Sequence, residues 1–152
     1  FRPINNWILN KIQIHRNKDA NADFYRKGRL AAIGMASKIK AGEIVGLTGD
    51  QLLREGINVP FFGLETPTPQ AAAIMALKWN TPIYMVRIER FNGIRFNGIR
   101  FKMTVEDKLN IPTNLDKEKT TYEITRLISS RIEEWIIDKP EQWLWAHRRW
   151  GK

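Results

Sequence analysis

The sequence predicts an α/β fold with a mixed sheet, in which a β-α-β crossover and a hairpin are flanked by helices. Three observations carry that prediction. Residues 43–48, Glu-Ile-Val-Gly-Leu-Thr, form a short β-rich apolar run closed by Gly49-Asp50. A helical segment over 70–79 separates it from a second apolar run, 83–90, and strand, helix and strand in that order imply a right-handed parallel crossover. The alternating stretch 101–105, Phe-Lys-Met-Thr-Val, follows at hairpin distance.

The other elements follow in order. Trp7, Ile8 and Ile12 sit at helical spacing behind Asn5 or Asn6 as a cap, so 6–16 reads as a short amphipathic helix. After a polar stretch, 29–41 places Ala32, Met35, Ala36 and Ile39 on one helical face and stops at Gly42. Thr68-Pro69 supplies a cap and a first-turn proline for the helix over 70–79, and Asn80 supplies its stop. Pro82 opens the strand 83–90. Residues 91–95 and 96–100 are the same pentapeptide, Phe-Asn-Gly-Ile-Arg, in tandem. One Asn-Gly turn suffices for a hairpin, and an odd-length slip would exchange the strand faces, so the extra copy is expected to lengthen the tip or form a bulge. Thr120-x-x-Glu123 fits a capping box, and Ile124, Leu127, Ile128, Ile132, Trp135 and Ile136 form a core stripe up to Pro140.

With 152 residues and 43% hydrophobic content the chain can bury one core, so residues 1–152 read as a single domain. Its net charge of +9, from 25 Lys and Arg against 16 acids, favours nucleic acid, an anionic membrane surface, an acidic protein or a phosphorylated substrate. The absence of cysteine excludes disulfides and thiol chemistry. No apolar run approaches the roughly 18 to 20 residues of a spanning helix. A sequence opening on Phe1 is expected to have been processed, trimmed or taken from a longer protein.

Candidate chemistry is sparse. His15-x-x-x-Asp19 could make an oriented base, but a solvated contact one helical turn apart is the stronger reading, since no partner residue and no glycine-shaped pocket accompany it. With only His15 and His147 in the chain, no multi-histidine metal site is expected and no cofactor is implied. Asp50, with Gln51, falls at a strand end where α/β sheets bind ligands; it would orient a ligand hydroxyl or an Arg, or else satisfy its own turn. Arg2, Arg26, Lys27, Arg29 and Arg54 would suit an anion-binding rim or a solvated basic face. Val59-Pro60-Phe61-Phe62-Gly63 would suit an acyl-chain wall or a core-packing loop. The end of the chain, Pro140-Glu141-Gln142-Trp143-Leu144-Trp145-Ala146-His147-Arg148-Arg149-Trp150, gathers three of the six tryptophans beside Arg148 and Arg149, a composition suited to apolar and anionic groups together.

Taken in order, Phe1-Arg2-Pro3-Ile4-Asn5-Asn6, Gly49-Asp50-Gln51, Val59-Pro60-Phe61-Phe62-Gly63 and the terminal Trp and Arg block resemble the late acyltransferases of lipid A biosynthesis. The resemblance covers essentially the whole chain. It implies the glycerolipid-acyltransferase α/β fold, a location on the cytoplasmic face of the inner membrane of Gram-negative bacteria, and transfer of a fatty acyl group from an acyl carrier protein thioester to a hydroxyl of an acyl chain on a Kdo-bearing lipid A precursor. In that family a His-x4-Asp or His-x4-Glu dyad deprotonates the hydroxyl, and it lies upstream of the Arg-Pro-x-x-Asn block. The expectation is therefore that no catalytic residue lies in this chain. The dyad belongs before Phe1, His15-x3-Asp19 is one residue short and misplaced, and the isolated chain is the inactive binding half. Arg26, Asp50, Gln51, Arg148 and Arg149 are the implied substrate-binding residues, facing phosphates, carrier protein or headgroups. Acyl carrier protein, the lipid A precursor and an anionic membrane surface are the implied partners, and nucleic acid is not expected. The tandem pentapeptide departs from the family's single hairpin tip. The alternatives are a basic nucleic-acid-binding module, using Trp stacking and Arg contacts, and a non-catalytic interaction domain.

Overall fold

The computed structural model describes residues 11, 15, 23, 25, 28–92 and 99–150. The chain divides into two compact units, Phe1–Gly46 and Leu47–Lys152. Of the helix expected over 6–16, only Lys11 and His15 are described, both helical; the rest lies outside the described residues. Among the described residues no helix is long and apolar enough to cross a membrane.

In the first unit, helix α1 spans Arg29–Lys40. It ends as its sequence requires: Ala41 N and Gly42 N cap the carbonyls of Ser37 and Ile39, and Gly42 takes φ 76°, which a glycine adopts without strain. Lys38 then ties the helix to Asp23 and Glu43, each at 2.9 Å. Met35, Ala36 and Ile39 are half-buried as expected, but Ala31 rather than Ala32 is the buried alanine. The strand expected over 43–48 does not form. A strand needs a ladder to satisfy its backbone groups, no described strand runs beside it, and Ile44 is 98% exposed.

Among its described residues the second unit has two antiparallel hairpins and two α-helices. β1 (Ile57–Phe61) and β2 (Leu64–Thr68) pair from Ile57↔Thr68 to Phe61↔Leu64. Their two-residue turn, Phe62-Gly63, has φ of 51° and 74°, the doubly positive combination that matches strand twist. An aromatic residue rarely takes that conformation, and so the segment reads from its sequence as a wall or loop; neighbouring rings hold it in place. Helix α2 (Ala71–Trp79) follows, and Asn80 stops it in the left-handed conformation, as expected. Its cap is Gln70 and not Thr68, because Thr68 belongs to β2 and turns its hydroxyl to Thr66 O at 2.9 Å.

β3 (Tyr84–Asn92) and β4 (Ile99–Lys108) form the expected hairpin. Its register closes at Asn92↔Ile99, leaving the tip to residues 93–98, outside the described residues. A register irregularity falls between Tyr84 and Val86. The α/β class, the hairpin and the flanking helices hold. The strand–helix–strand order is present as β2, α2 and β3, but those strands lie in separate two-stranded antiparallel sheets, not in one parallel crossover.

Helix α3 (Lys117–Asp138) organises this unit. Its cap is Asp116, whose carboxylate accepts from Lys119 N at 2.9 Å; a negative charge at the helix N-terminus displaces the Thr120 capping box, and Thr120 bonds back to Asp116 O instead. Ile124, Ile128, Ile132 and Ile136, four residues apart, are buried together with Phe61, Ala73 and Met85, while Leu127 and Trp135 are half-buried. On the β3–β4 side α3 makes ion pairs. Glu106 accepts from Arg131 at 2.7 and 2.5 Å and from Trp135 Nε1 at 3.0 Å, and Glu89 sits against Lys139 and Arg87.

Two expectations follow. A methyl on Gly56 would lie 2.1 Å from the Thr68 carbonyl oxygen, so Gly56→Ala should cost about 2–3 kcal/mol in chemical denaturation, against under about 0.5 kcal/mol if the approach were loose. The Lys139 hydrogen bond holds the Glu89 carboxyl, and the Arg131 hydrogen bond the Glu106 carboxyl, below the usual value near 4.5, against opposing burial. Both carboxyls bind protons less readily folded than unfolded. Their stabilisation is thus present above pH about 4.5 and lost as pH falls below it. Urea midpoints recorded from pH 7 to pH 3 should drop in that acid range, and less so in Glu106→Gln.

Candidate functional site

The terminal block closes over the loop that follows Leu47 and over the β1–β2 hairpin. Pro140 opens a 3-10 turn, Pro140–Gln142, where α3 can no longer continue. Gln142 then bonds Arg90 twice, accepting from its N at 3.0 Å and donating to its O at 2.9 Å, which anchors the start of the block to β3.

From there the three indoles and the imidazole of the block each find a defined partner. Trp143 Nε1 donates to Asp50 Oδ2 at 3.2 Å. His147 Nε2 accepts from Leu52 N at 3.0 Å, which requires a neutral imidazole carrying its proton on Nδ1. Trp150 Nε1 donates to Phe61 O at 3.2 Å, and Trp145 Nε1 to Pro140 O at 2.7 Å. The rings of Trp143 and Trp150 lie 5.9 and 5.6 Å from that of Phe61, at tilted angles.

Arg149 is the centre of this arrangement. It is 0% exposed, yet it donates to Pro67 O at 3.1 Å and to Thr68 Oγ1 at 2.6 Å, and its guanidinium lies 4.7 Å from the Phe61 ring centroid. A flat, weakly hydrated cation tolerates such a place better than an ammonium would. Burial lowers its pKa, and the charge of Asp50 opposes that shift. Its Nε, also buried, has no hydrogen-bond partner among the described residues.

The residues singled out from sequence divide accordingly. Asp50 is half-buried under Trp143, Gln51 is exposed beside it, and Asp50 and Arg149 are close enough to interact electrostatically. Arg148 is exposed on the rim, whereas Arg149 points inward and not towards a headgroup surface. Arg26 lies outside the described residues. Gly49 packs on α3, where a methyl would meet Ile132 Cδ1 at 3.1 Å and Ile128 Cγ2 at 3.2 Å. Sequence reasoning missed Gln142, Trp143 and His147 as contact-making residues. The signal for Trp143 was available: a packed indole needs an acceptor for its N–H, and Asp50 is the acid of the Gly49-Asp50-Gln51 turn.

Among the described residues, the arrangement pairs no hydroxyl with an imidazole or carboxylate. What it provides is a turn bearing a carboxylate and an amide, tied to the terminal block by the Trp143 indole at Asp50 and by the His147 imidazole at the neighbouring Leu52. The model of a family described as bacterial lipid A biosynthesis acyltransferase matches residues 1–152. Among curated proteins, none matches the chain.

Arg149→Lys keeps the charge but loses the two-pronged donation and the flat stacking, so it should lower stability by about 2–3 kcal/mol. Trp143→Phe, which keeps a ring but removes the N–H, should cost about 1 kcal/mol. Thermal and urea unfolding of the two variants would check the order; equal effects would contradict it.

Proposed function

Because the chain belongs to the bacterial lipid A biosynthesis acyltransferase family, we propose that it is the substrate-binding portion of an enzyme acting at the cytoplasmic face of the inner membrane. The enzyme moves a fatty acyl group from an acyl carrier protein thioester to a hydroxyl of an acyl chain on a Kdo-bearing lipid A precursor. The base removes the hydroxyl proton, the oxygen attacks the thioester carbonyl, and the carrier thiolate leaves with that proton as the new ester forms. The base is a His-x4-Asp or His-x4-Glu dyad on polypeptide preceding the Arg2-Pro3-x-x-Asn6 block. In this reading the 152 residues bind substrate and do not themselves supply that base.

The observation that supports this reading most is the seating of the terminal block on the Gly49-Asp50-Gln51 turn through Trp143 and His147. Two stretches on which the family resemblance rests, about ninety residues apart, meet at one place. In the proposal Asp50 and Gln51 meet polar groups of the substrate, Arg26 and Arg148 meet phosphates or the acidic carrier protein, and Arg149 positions the turn from beneath. The net charge of +9 suits partners that are all anionic.

In the complete enzyme, Asp50→Ala should lower turnover on the order of 100-fold, the scale of a misplaced substrate. Turnover at the parent rate would remove Asp50 from the site. Purified 152-residue chain should transfer no acyl group from acyl carrier protein to precursor, and measurable transfer would overturn the assignment of the base to an upstream segment.

A further inference from the structure

The β3–β4 hairpin carries charge on its covered face and apolar side chains on its open one. Against α3 stand Arg87, Glu89 and Glu106, tied to Asp138, Lys139 and Arg131. The opposite face exposes Tyr84, Val86 and Ile88 on β3 and Phe101, Met103 and Val105 on β4, with Ile88, Phe101 and Met103 at 63, 67 and 66%. Single exposed apolar residues need no explanation, but a continuous band of six does.

The order of residues within the band says what it fits. Val86 stands opposite Val105 and Ile88 opposite Met103, so aliphatic pairs fill the middle. At each end an aromatic ring stands across from a cation, Phe101 from Arg90 and Tyr84 from Lys108. Tyr84 to Arg90 spans about 20 Å of strand. An anionic bilayer surface has the complementary profile: hydrocarbon for the aliphatic centre, the headgroup boundary for the rings, and phosphates for Arg90 and Lys108. Acidic groups offer little opposition. Glu89 and Glu106 are turned away and ion-paired, and Asp107, next to Lys108, is the one exposed acid on the two strands.

We propose that this face of β3–β4 is a lipid-contact surface that lies along an anionic membrane leaflet. The proposal deepens the membrane location given under Proposed function and rests on it, but its test reads lipid binding and not acyl transfer. The 152-residue chain is mixed with vesicles of phosphatidylcholine, with or without phosphatidylglycerol, and the bound fraction is measured by flotation. Binding should require the anionic lipid and weaken as salt is raised. Ile88→Glu combined with Met103→Glu should lower the partition coefficient at least about tenfold, and Arg90→Glu combined with Lys108→Glu about tenfold or more on anionic vesicles. All four side chains are exposed, so far-UV circular dichroism should match the parent.

The charge-reversal pair keeps the test decisive should the apolar pair disturb folding. Absence of vesicle binding by the parent, or equal binding by both variants, would overturn the proposal. A parent dimer that the Ile88 and Met103 changes convert to monomer, with vesicle binding unchanged, would overturn it in favour of a second copy on this face. Vesicle binding that behaves as described while the complete enzyme transfers no acyl group would strike the proposed reaction and leave the surface standing.

Discussion

A guanidinium enclosed by protein is costly unless its surroundings replace water, and the second unit is arranged around one. Arg149 bonds a carbonyl and a hydroxyl of β2, stacks on Phe61 of β1, and feels the charge of Asp50. Those partners lie in three separate stretches of sequence. The burial of Arg149 can be sustained only when hairpin, loop and terminus are all in place. Its neighbours repeat the pattern: Trp143 to Asp50, His147 to Leu52, Trp150 to Phe61. Each bond contributes only about 1 kcal/mol net, yet removing one partner would leave a partly buried polar group unpaired.

Phe61 joins this polar clasp to the apolar core. One side of its environment is the cluster of Ile124, Ile128, Ile132 and Ile136 from α3 with Ala73 of α2, and the other is the Trp143 and Trp150 rings with Arg149. The turn beside it stays in a conformation that a bulky residue disfavours, with Phe62 at φ 51°, because the Phe61 and Trp150 rings pack against Phe62. The Asp50 turn is thereby held by α3 through Gly49 and by the terminus through Trp143 and His147.

Much of this was legible in the sequence. The isoleucine stripe of α3, the stops at Gly42 and Asn80, and the pairing of β3 with β4 follow from local periodicity and turn chemistry, and the structure has each of them. The β1–β2 hairpin was not legible, because its turn residue Phe62 is a poor candidate for a positive φ and is made tolerable only by tertiary packing. The run 43–48 has strand composition but no described strand beside it; a ladder is a property of two segments, and composition reports only one. At the site, Asp50 and the terminal block were each visible as residues of interest. That Arg149 would turn inward was not, since an Arg-Arg pair at a terminus carries no local sign of which member is buried. The family, read from ordered motifs, is the one the whole chain matches.

The central claim is that the terminal block, the Asp50 turn and the β1–β2 hairpin form one cooperative unit. Native-state amide hydrogen exchange at Leu52 tests it most directly, because that N–H lies in a loop and is given to His147 Nε2 alone among the bonds described. If the unit is cooperative, Leu52 should exchange with the same opening free energy as the Phe61↔Leu64 end of the hairpin, and Arg149→Leu should lower both together. Exchange of Leu52 at the rate of an open loop, with the hairpin still protected, would contradict it.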